Sequence, residues 1–409
     1  MQGIGRSDSF EKYRYFFENY CKLFYAGLYL SLVIPVGRRI SAVQPQIDHI
    51  KHMRCKDMAT IKDIAERLGI AVSTVSKGLN GASDISDEMR QLVLDTAVEM
   101  GYASKKLRSK TTRKVCILIE NMDYENIEQF GYEIIMGFKQ SAARRHWEVT
   151  VIPSDLNMQT AEKFDTYMLK NGFSGAFLLG FSLHDDWVKQ LSRTTVPTVL
   201  LDNYIPVNPH VGYVGTDSME GIALAVDHLY SLGHRKIAFL NGSKNSMVSD
   251  ERYQAFVQSM QDHGLKPDER LMEYGYYVPD CAKYHVPTFL DNGATAILCA
   301  SDLIASGVIA EVKKHGLRVP EDVSVVGFDD LPVASQLVPP LTTIRQDRTD
   351  LGKSAFLLLD GLVHNVTVSK MLLRAKFIQR ASTAPAKERP IQRTPAAKPS
   401  RKKGKSKIK

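Results

Sequence analysis

Thr60-Ile-Lys-Asp-Ile-Ala-Glu-Arg-Leu-Gly-Ile-Ala-Val-Ser-Thr-Val-Ser-Lys-Gly-Leu-Asn80 is the stretch on which the reading of this chain turns. Ile61, Ile64, Ala65 and Leu68 recur at helical spacing, Gly69 supplies a residue for which positive φ costs little, and Val72, Val75 and Leu79 resume the apolar pattern beyond it. Two short helices around a tight turn, a helix-turn-helix, are predicted. Ser73, Thr74, Ser76, Lys77 and Asn80 then point outward. Small hydroxyls and amides fit a major groove about 12 Å wide, and a cation can meet guanine or phosphate there. A third helix is predicted from Asp87 to Met100, capped by Ser86 or Asp87, with Met89, Leu92, Val93, Thr96, Ala97 and Met100 inward.

Beyond Tyr102 the run Ala103-Ser-Lys-Lys-Leu-Arg-Ser-Lys-Thr-Thr-Arg-Lys114 is too basic and too poor in apolar residues for a core of its own. Lys105, Lys106, Arg108, Lys110, Arg113 and Lys114 are expected to meet phosphates. From Val115 short apolar runs alternate with amphipathic helices. The runs are 115–119, 149–152, 175–179, 197–201, 236–240, 296–299 and 323–326; helices between them include 130–146, 160–171, 217–232, 252–263 and 303–315. Strands buried on both faces read this way, so an α/β region with parallel sheets is expected. A break between strand groups near Thr216 and a return near Thr342 to Gln346 predict two lobes with a cleft between them.

The 409 residues carry a net charge of +8, and the segment from Lys387 to Lys409 holds roughly nine net positive charges by itself. Its Lys, Pro and Ala content predicts a disordered tail. Cys21, Cys55, Cys116, Cys281 and Cys299 are odd in number and form no C-x-x-C pair, so a reduced cytoplasmic setting is expected and no zinc site. No P-loop, H-E-x-x-H or G-x-S-x-G occurs, so no enzyme, cofactor or metal is expected. The apolar run Leu23 to Val36, about 14 residues, falls short of the roughly 20 that a spanning helix needs, which predicts no membrane partner. Residues 1–57 are expected to be an extension without function or an early-assigned start, with Met58 the working one.

The ordered phrases Thr60-Ile-Lys-Asp-Ile-Ala, Val75-Ser-Lys-Gly-Leu-Asn80, Met100-Gly-Tyr102, His228-Leu-Tyr-Ser-Leu-Gly-His-Arg-Lys-Ile-Ala238, Arg318-Val-Pro-Glu-Asp-Val-Ser-Val-Val-Gly-Phe-Asp-Asp330 and Pro339-Pro-Leu-Thr-Thr-Ile-Arg-Gln346 resemble the lactose-repressor (LacI/GalR) family of bacterial regulators, from about Met58 to Ala384. The resemblance implies a small all-α helix-turn-helix head at 58–103, a basic hinge at 104–114, and a periplasmic-binding-protein-like type I α/β core at 115–384. Its lobes would be 115–215 plus about 346–365, and 216–345 plus about 366–384, followed by the tail 385–409. A homodimer on a near-palindromic double-stranded operator is implied, acting as a repressor whose grip a small effector, a sugar, controls. Val72, Ser73 and Lys77 match base-reading positions, and Thr60, Thr74, Ser76, Asn80 and Ser86 match phosphate-holding ones. Leu107 matches the leucine that wedges the minor groove.

Three departures stand out. Ala71 replaces the serine that opens the reading helix, at a cost of about 1 kcal/mol, and Lys77 replaces a frequent arginine, giving a point charge without the bidentate fork. Between Tyr102 and Leu107 the chain is about four residues shorter than most members, roughly one helical turn.

In the core the resemblance gives Asp329 as the carboxylate taking ligand hydroxyls, Arg252 as the donor from the facing lobe and Tyr277 as the stacking aromatic. Phe130, Asp202, Ser301 and Gln346 match further lining positions, and Asp302 stands beside Ser301. A carboxylate, a guanidinium and an aromatic face are what sugar recognition needs. Each also has a plain structural reading. Asp302 suits a helix cap, Asp329 a turn, Arg252 an ion pair with Asp250 or Glu251, and Tyr277 packing among Tyr274 and Tyr276. His228 and His234 flank a helix end and read as structural. The alternative function is a secreted sugar-binding protein with the same core, favoured by the apolar N-terminal run alone.

Overall fold

Three short helices open the described part of the chain: α1 (Ile61–Leu68), α2 (Val72–Asn80) and α3 (Asp87–Glu99). The computed structural model describes residues 59–102, 113–244 and 246–387. The expected extension at 1–57, the linker up to residue 112 with Leu107, and the tail beyond residue 387 lie outside these. Thr60 and Asp63 form a reciprocal capping box at the start of α1, and Gly69 closes the helix at φ +64°. Ala71 gives α2 no side-chain cap. Ile64, Ala65, Val75, Val93 and Ala97 make the small core. Gly78 lets α2 and α3 approach, since a Cβ there would lie 3.0 Å from Val93.

Two inward expectations change. Val72 is 46% exposed, because the packing that buries Val75 and Gly78 against Val93 begins one turn later. Leu92 is 48% exposed while Leu94 is 1% exposed. Helix α3 thus has a second covered face, which meets the core.

The first lobe runs through β1 (Lys114–Ile119), α4 (Phe130–Arg144), β2 (Glu148–Pro153), α5 (Leu156–Ala161), α6 (Phe164–Asn171), β3 (Ala176–Leu179), α7 (Asp186–Gln190), β4 (Thr198–Leu201) and β5 (Val211–Thr216). The chain then crosses into the second lobe for α8 (Ser218–Ser231), β6 (Ile237–Asn241), α9 (Met247–Asp262), β7 (Met272–Tyr274), α10 (Ala282–Asp291), β8 (Ala296–Cys299), α11 (Asp302–Lys314), β9 (Ser324–Asp329), α12 (Pro332–Gln336) and β10 (Thr342–Arg345). It returns for α13 (Arg348–Val363) and β11 (Lys370–Leu373), and crosses a third time into β12 (Lys376–Ile378).

The sheet of lobe 1 has the order β11-β5-β4-β3-β1-β2 and is parallel throughout; that of lobe 2 is β12-β10-β9-β8-β6-β7, with only β12 antiparallel. Unbroken apolar runs build such strands because alternate residues feed different cores. Val115, Ile117 and Ile119 enter one core of lobe 1, Cys116 and Leu118 the other.

The lobe boundary expected at about 366 lies later, at Arg374 and Ala375. Strand β11 pairs with β5, Lys370 beside Tyr213, and covers what would be a bare sheet edge. The single helix expected over 160–171 is broken between α5 and α6, where Trp187 Nε1 donates to the Glu162 carbonyl at 2.8 Å. Helix α9 begins at Met247, over a turn before the expected Arg252. Neither α10, with Pro287 inside it, nor α13 was predicted.

Candidate functional site

On the head, Val72, Ser73, Lys77 and Asn80 are exposed along α2, with Thr74 and Ser76 half-buried between them. Asn80 is held by its own helix, its Nδ2 donating to the Ser76 carbonyl at 2.8 Å. Lys77 Nζ lies 2.5 Å from Asp84 Oδ2. That lysine holds the Asp84 carboxyl below its ordinary range, while both groups stay solvated. Thr60 Oγ1 and Ser86 Oγ accept from Asp63 N and Met89 N, so each stands at a helix N-terminus. Backbone N–H groups there are left over for an anion.

The cleft side is assembled at the carboxyl ends of the strands, the usual ligand position of open α/β sheets. Asp202 follows β4 in lobe 1 with φ +54°. Burial pushes its carboxyl up to about 7, against Arg252, whose charge lowers it, and with Asp329 and Glu251, which raise it further. Groups from both lobes therefore share one electrostatic neighbourhood.

In lobe 2, Arg252 on α9 is only 3% exposed. Its Nη1 donates to the Ala300 carbonyl at 2.7 Å, its guanidinium sits 3.9 Å from the Phe328 ring centre, and its Nε has no partner. Asp329 ends β9 at φ +113° and Asp330 follows at φ +55°. Consecutive left-handed non-glycine residues cost on the order of 1–3 kcal/mol each and mark a turn held by its surroundings. The two carboxylates are held differently. Asp330 is spent on Arg345 and Arg380, each at 2.6 Å. Asp329 accepts from Gln346 Nε2 at 2.7 Å, and Gln346 Oε1 is left without a partner. Burial raises the Asp329 carboxyl to about 6, opposed by Arg252, Gln346 and Arg348.

Tyr277, at φ +59°, turns its hydroxyl into lobe 2, 3.1 Å from Ser249 Oγ. Ser301 caps α11 through Ile304 N, and Phe130 lies half-buried at the start of α4 against the lobe 1 core. Asp302 differs from the rest, being 0% exposed. Leu331 N donates to one of its oxygens at 2.7 Å and Thr343 Oγ1 to the other at 2.6 Å. Its carboxylate thereby ties the turn after Asp329 to β10. Among the described residues no cluster of His, Cys, Asp and Glu could hold a metal ion, and no helix is long and apolar enough to cross a membrane.

Two residues at this site escaped the sequence reading. The buried Tyr213 hydroxyl faces Glu251 and lies beside Asp202 over Gly215, where a Cβ would sit 2.5 Å from the hydroxyl and 2.8 Å from Asp202 Oδ1. The cue was the Tyr-x-Gly spacing on one strand face. Arg348 donates to Glu133 Oε2 through Nε at 2.8 Å and Nη2 at 2.5 Å, while its buried Nη1 has no partner. A cation at the first residue of a helix opposes the helix dipole, and that was its cue.

Residues 60–105 match the model of bacterial regulatory proteins of the lacI family, and residues 226–383 match that of a periplasmic binding protein-like domain. The HTH-type transcriptional repressor CytR of Escherichia coli (strain K12) is 28% identical over 342 residues, which span 82% of this chain and 99% of that protein. The solved structure of the transcriptional regulator CelR–cellobiose complex is similar with a TM-score of 0.60 at 26% identity, over 79% of this chain and 99% of that one. The lac repressor dimer bound to operator and the anti-inducer ONPF is similar with a TM-score of 0.57 at 26% identity, over 80% and 99% of the two chains.

Proposed function

Because the chain belongs to the lacI family of bacterial regulatory proteins, and so is a DNA-binding transcriptional regulator with a small-molecule effector, we propose that it is a repressor controlled by a sugar held between its lobes. CytR is a repressor, CelR was solved with cellobiose, and the lac repressor was solved as a dimer on operator. Those likenesses support a cytoplasmic homodimer on a near-palindromic operator. The lacI-family match at the head disfavours a secreted sugar-binding protein, which would have no use for a DNA reader.

One observation carries the ligand reading: buried Arg252, its Nε unpartnered, acts on carboxylates from opposite lobes, Asp202 and Asp329. A sugar answers that arrangement. Its hydroxyls donate to the carboxylates, its oxygens accept from Arg252, and Tyr277 and Phe130 flank the ring's apolar side. Gln346 orients Asp329, Ser301 lines the floor, and Asp302 serves through the turn it holds. On the head, Val72, Ser73 and Lys77 read bases, while Thr60, Thr74, Ser76, Asn80 and Ser86 hold phosphates. Leu107 keeps its proposed place in the minor groove. No reaction is assigned to the cleft.

Sugar bound to both walls favours one lobe arrangement. A preference of about 1–3 kcal/mol changes operator affinity roughly 5–150-fold, reciprocally for the two ligands. The test is operator binding by the full chain, on a fragment selected from genomic DNA, against cellobiose and a panel of mono- and disaccharides. The expected result is that one sugar shifts affinity in the wild type and not in Asp329→Ala. A variant that answers the sugar at unchanged potency overturns the assignment.

A further inference from the structure

The head is not held by its linker alone. Helix α3 lies against α6 of lobe 1. Asp95 Oδ1 accepts from Thr166 Oγ1 at 2.7 Å, and that threonine is 0% exposed. Leu169, one helical turn further along α6, packs against the head's own apolar core. Leu94, next to Asp95, is almost fully covered where Leu92 is not. The seat itself is stiff. The other face of α6 buries Phe164 and Met168 in the lobe, with Phe164 edge-on to Trp187 at 5.8 Å. Thr194 Oγ1 also donates to Asp165.

We propose that α6 is a docking surface for the chain's own DNA-binding head, with Asp95, Thr166 and Leu169 as positioning residues that set the reader's orientation. A buried hydroxyl and a half-buried leucine on one helix face suit a partner with one acceptor and an apolar patch, and α3 presents both. The docking runs through α3, and Val72, Ser73, Lys77 and Asn80 on α2 stay exposed for DNA. A movement of lobe 1 then reaches the reader through packed side chains as well as through the linker. One hydrogen bond and one apolar contact are a modest link, so losing either should release the head without unfolding it.

The first test is the 15N line widths of head amides in the full chain without DNA. Seated heads share the slow tumbling of the core and give broad lines; in Asp95→Ala and in Leu169→Glu the same amides sharpen. One change lies on the head and the other on the lobe, so a folding defect in either leaves the other to decide. Sharp head lines in the wild type, matching both variants, overturn the proposal.

The second test compares a palindromic operator with a single half-site. It rests on the dimer reading above, whereas the first does not. Undocked heads should bind the palindrome about threefold to tenfold more weakly, because orientation is no longer fixed beforehand, and the half-site equally well. Equal loss on both DNAs would make Asp95 a residue of head stability and end its positioning role.

Discussion

The DNA-reading face of the head and the cleft handle polar groups in opposite ways. On the head, Thr60, Ser86 and Asn80 are already hydrogen-bonded, Lys77 is paired, and the reading face is open to water. At the cleft, Arg252 Nε, Arg348 Nη1 and Gln346 Oε1 are buried without partners. An unmet buried donor or acceptor costs about 1–3 kcal/mol, whereas an exposed one costs almost nothing because water serves it. The proposed ligand site therefore has unmet demand that a ligand would relieve, which predicts steep specificity. The head must recover what it gains on DNA from charge and shape, against salt. Changes at the cleft should accordingly cut deeper than changes on α2.

Arg252→Ala is the strongest way to break that contrast. It leaves Asp202 and Asp329 without the cation that acts on both, and removes a charge-assisted donor to ligand. A hydrogen bond to a charged group is worth about 1.5–3 kcal/mol, so affinity for the sugar that shifts operator binding should fall roughly 10- to 150-fold, read by titration calorimetry. If the fall is no greater than that caused by Lys77→Ala on operator, the buried site has no special leverage.

For Lys77→Ala the expected loss on the operator is about tenfold, with a smaller loss on random DNA, because base contacts specify and phosphate contacts do not. Lys77 also gives up Asp84, so Asp84→Ala is the control. It removes the same ion pair and leaves the reading cation in place. Competition binding at fixed salt separates the two, and equal loss on both DNAs would make Lys77 a phosphate contact.

The contrast between head and cleft also governed what the sequence disclosed. Head signals are local: the Ile61–Leu68 spacing, Gly69, and the Val75–Leu79 step each act within one or two turns, and the helices stand where those signals put them. Strands β1 to β4, β6, β8 and β9 were legible for the same reason, since each is a mostly apolar run, whereas β5, β7, β11 and β12 were not read as strands and β10 only as a return of the chain. What escaped depends on distant neighbours. Asp95 meets Thr166, 71 residues away, β11 pairs along the edge of β5, and α13 leans on α4. Asp302 and Asp329 look alike in sequence. Only the fold assigns both oxygens of Asp302 to Leu331 and Thr343 while leaving Asp329 facing Arg252.

A pH series sharpens the cleft further. Burial holds Asp202 near 7 and Asp329 near 6, above the ordinary 3.8, so the folded chain keeps protons there that the unfolded chain has lost. Their contribution to stability is fully present below about pH 4 and is lost as pH rises through 6 and 7. His228 and His234 act oppositely. Burial lowers both, so their contribution is full above 6.5 and is lost as pH falls. Sugar hydroxyls must donate to ionised carboxylates. Affinity should therefore rise between pH 5.5 and 7.5, by up to about tenfold per pH unit for each proton released, and level off above. Arg252, Glu251 and Asp329 face Asp202, while Arg252, Gln346 and Arg348 face Asp329. Asp202→Asn should remove the upper step alone, and a profile unchanged by that substitution would exclude Asp202 from the ligand.

The smallest expected effect tests the head's side of the contrast. Ala71 opens α2 with extended backbone at φ −68° and ψ 143°, the geometry of a capping residue without the side chain to cap. A serine there needs no backbone change, and its hydroxyl can accept from an N–H of the first turn. Such a cap contributes about 1 kcal/mol. Ala71→Ser should therefore raise the thermal midpoint of the head by a few degrees while leaving the lobes' transition where it is. Operator affinity should change little, because the gain stabilises a helix already formed when DNA arrives. An affinity that rises with the midpoint would mean that free heads are partly unfolded and that DNA completes them, and the reading helix would then share the unmet demand assigned here to the cleft.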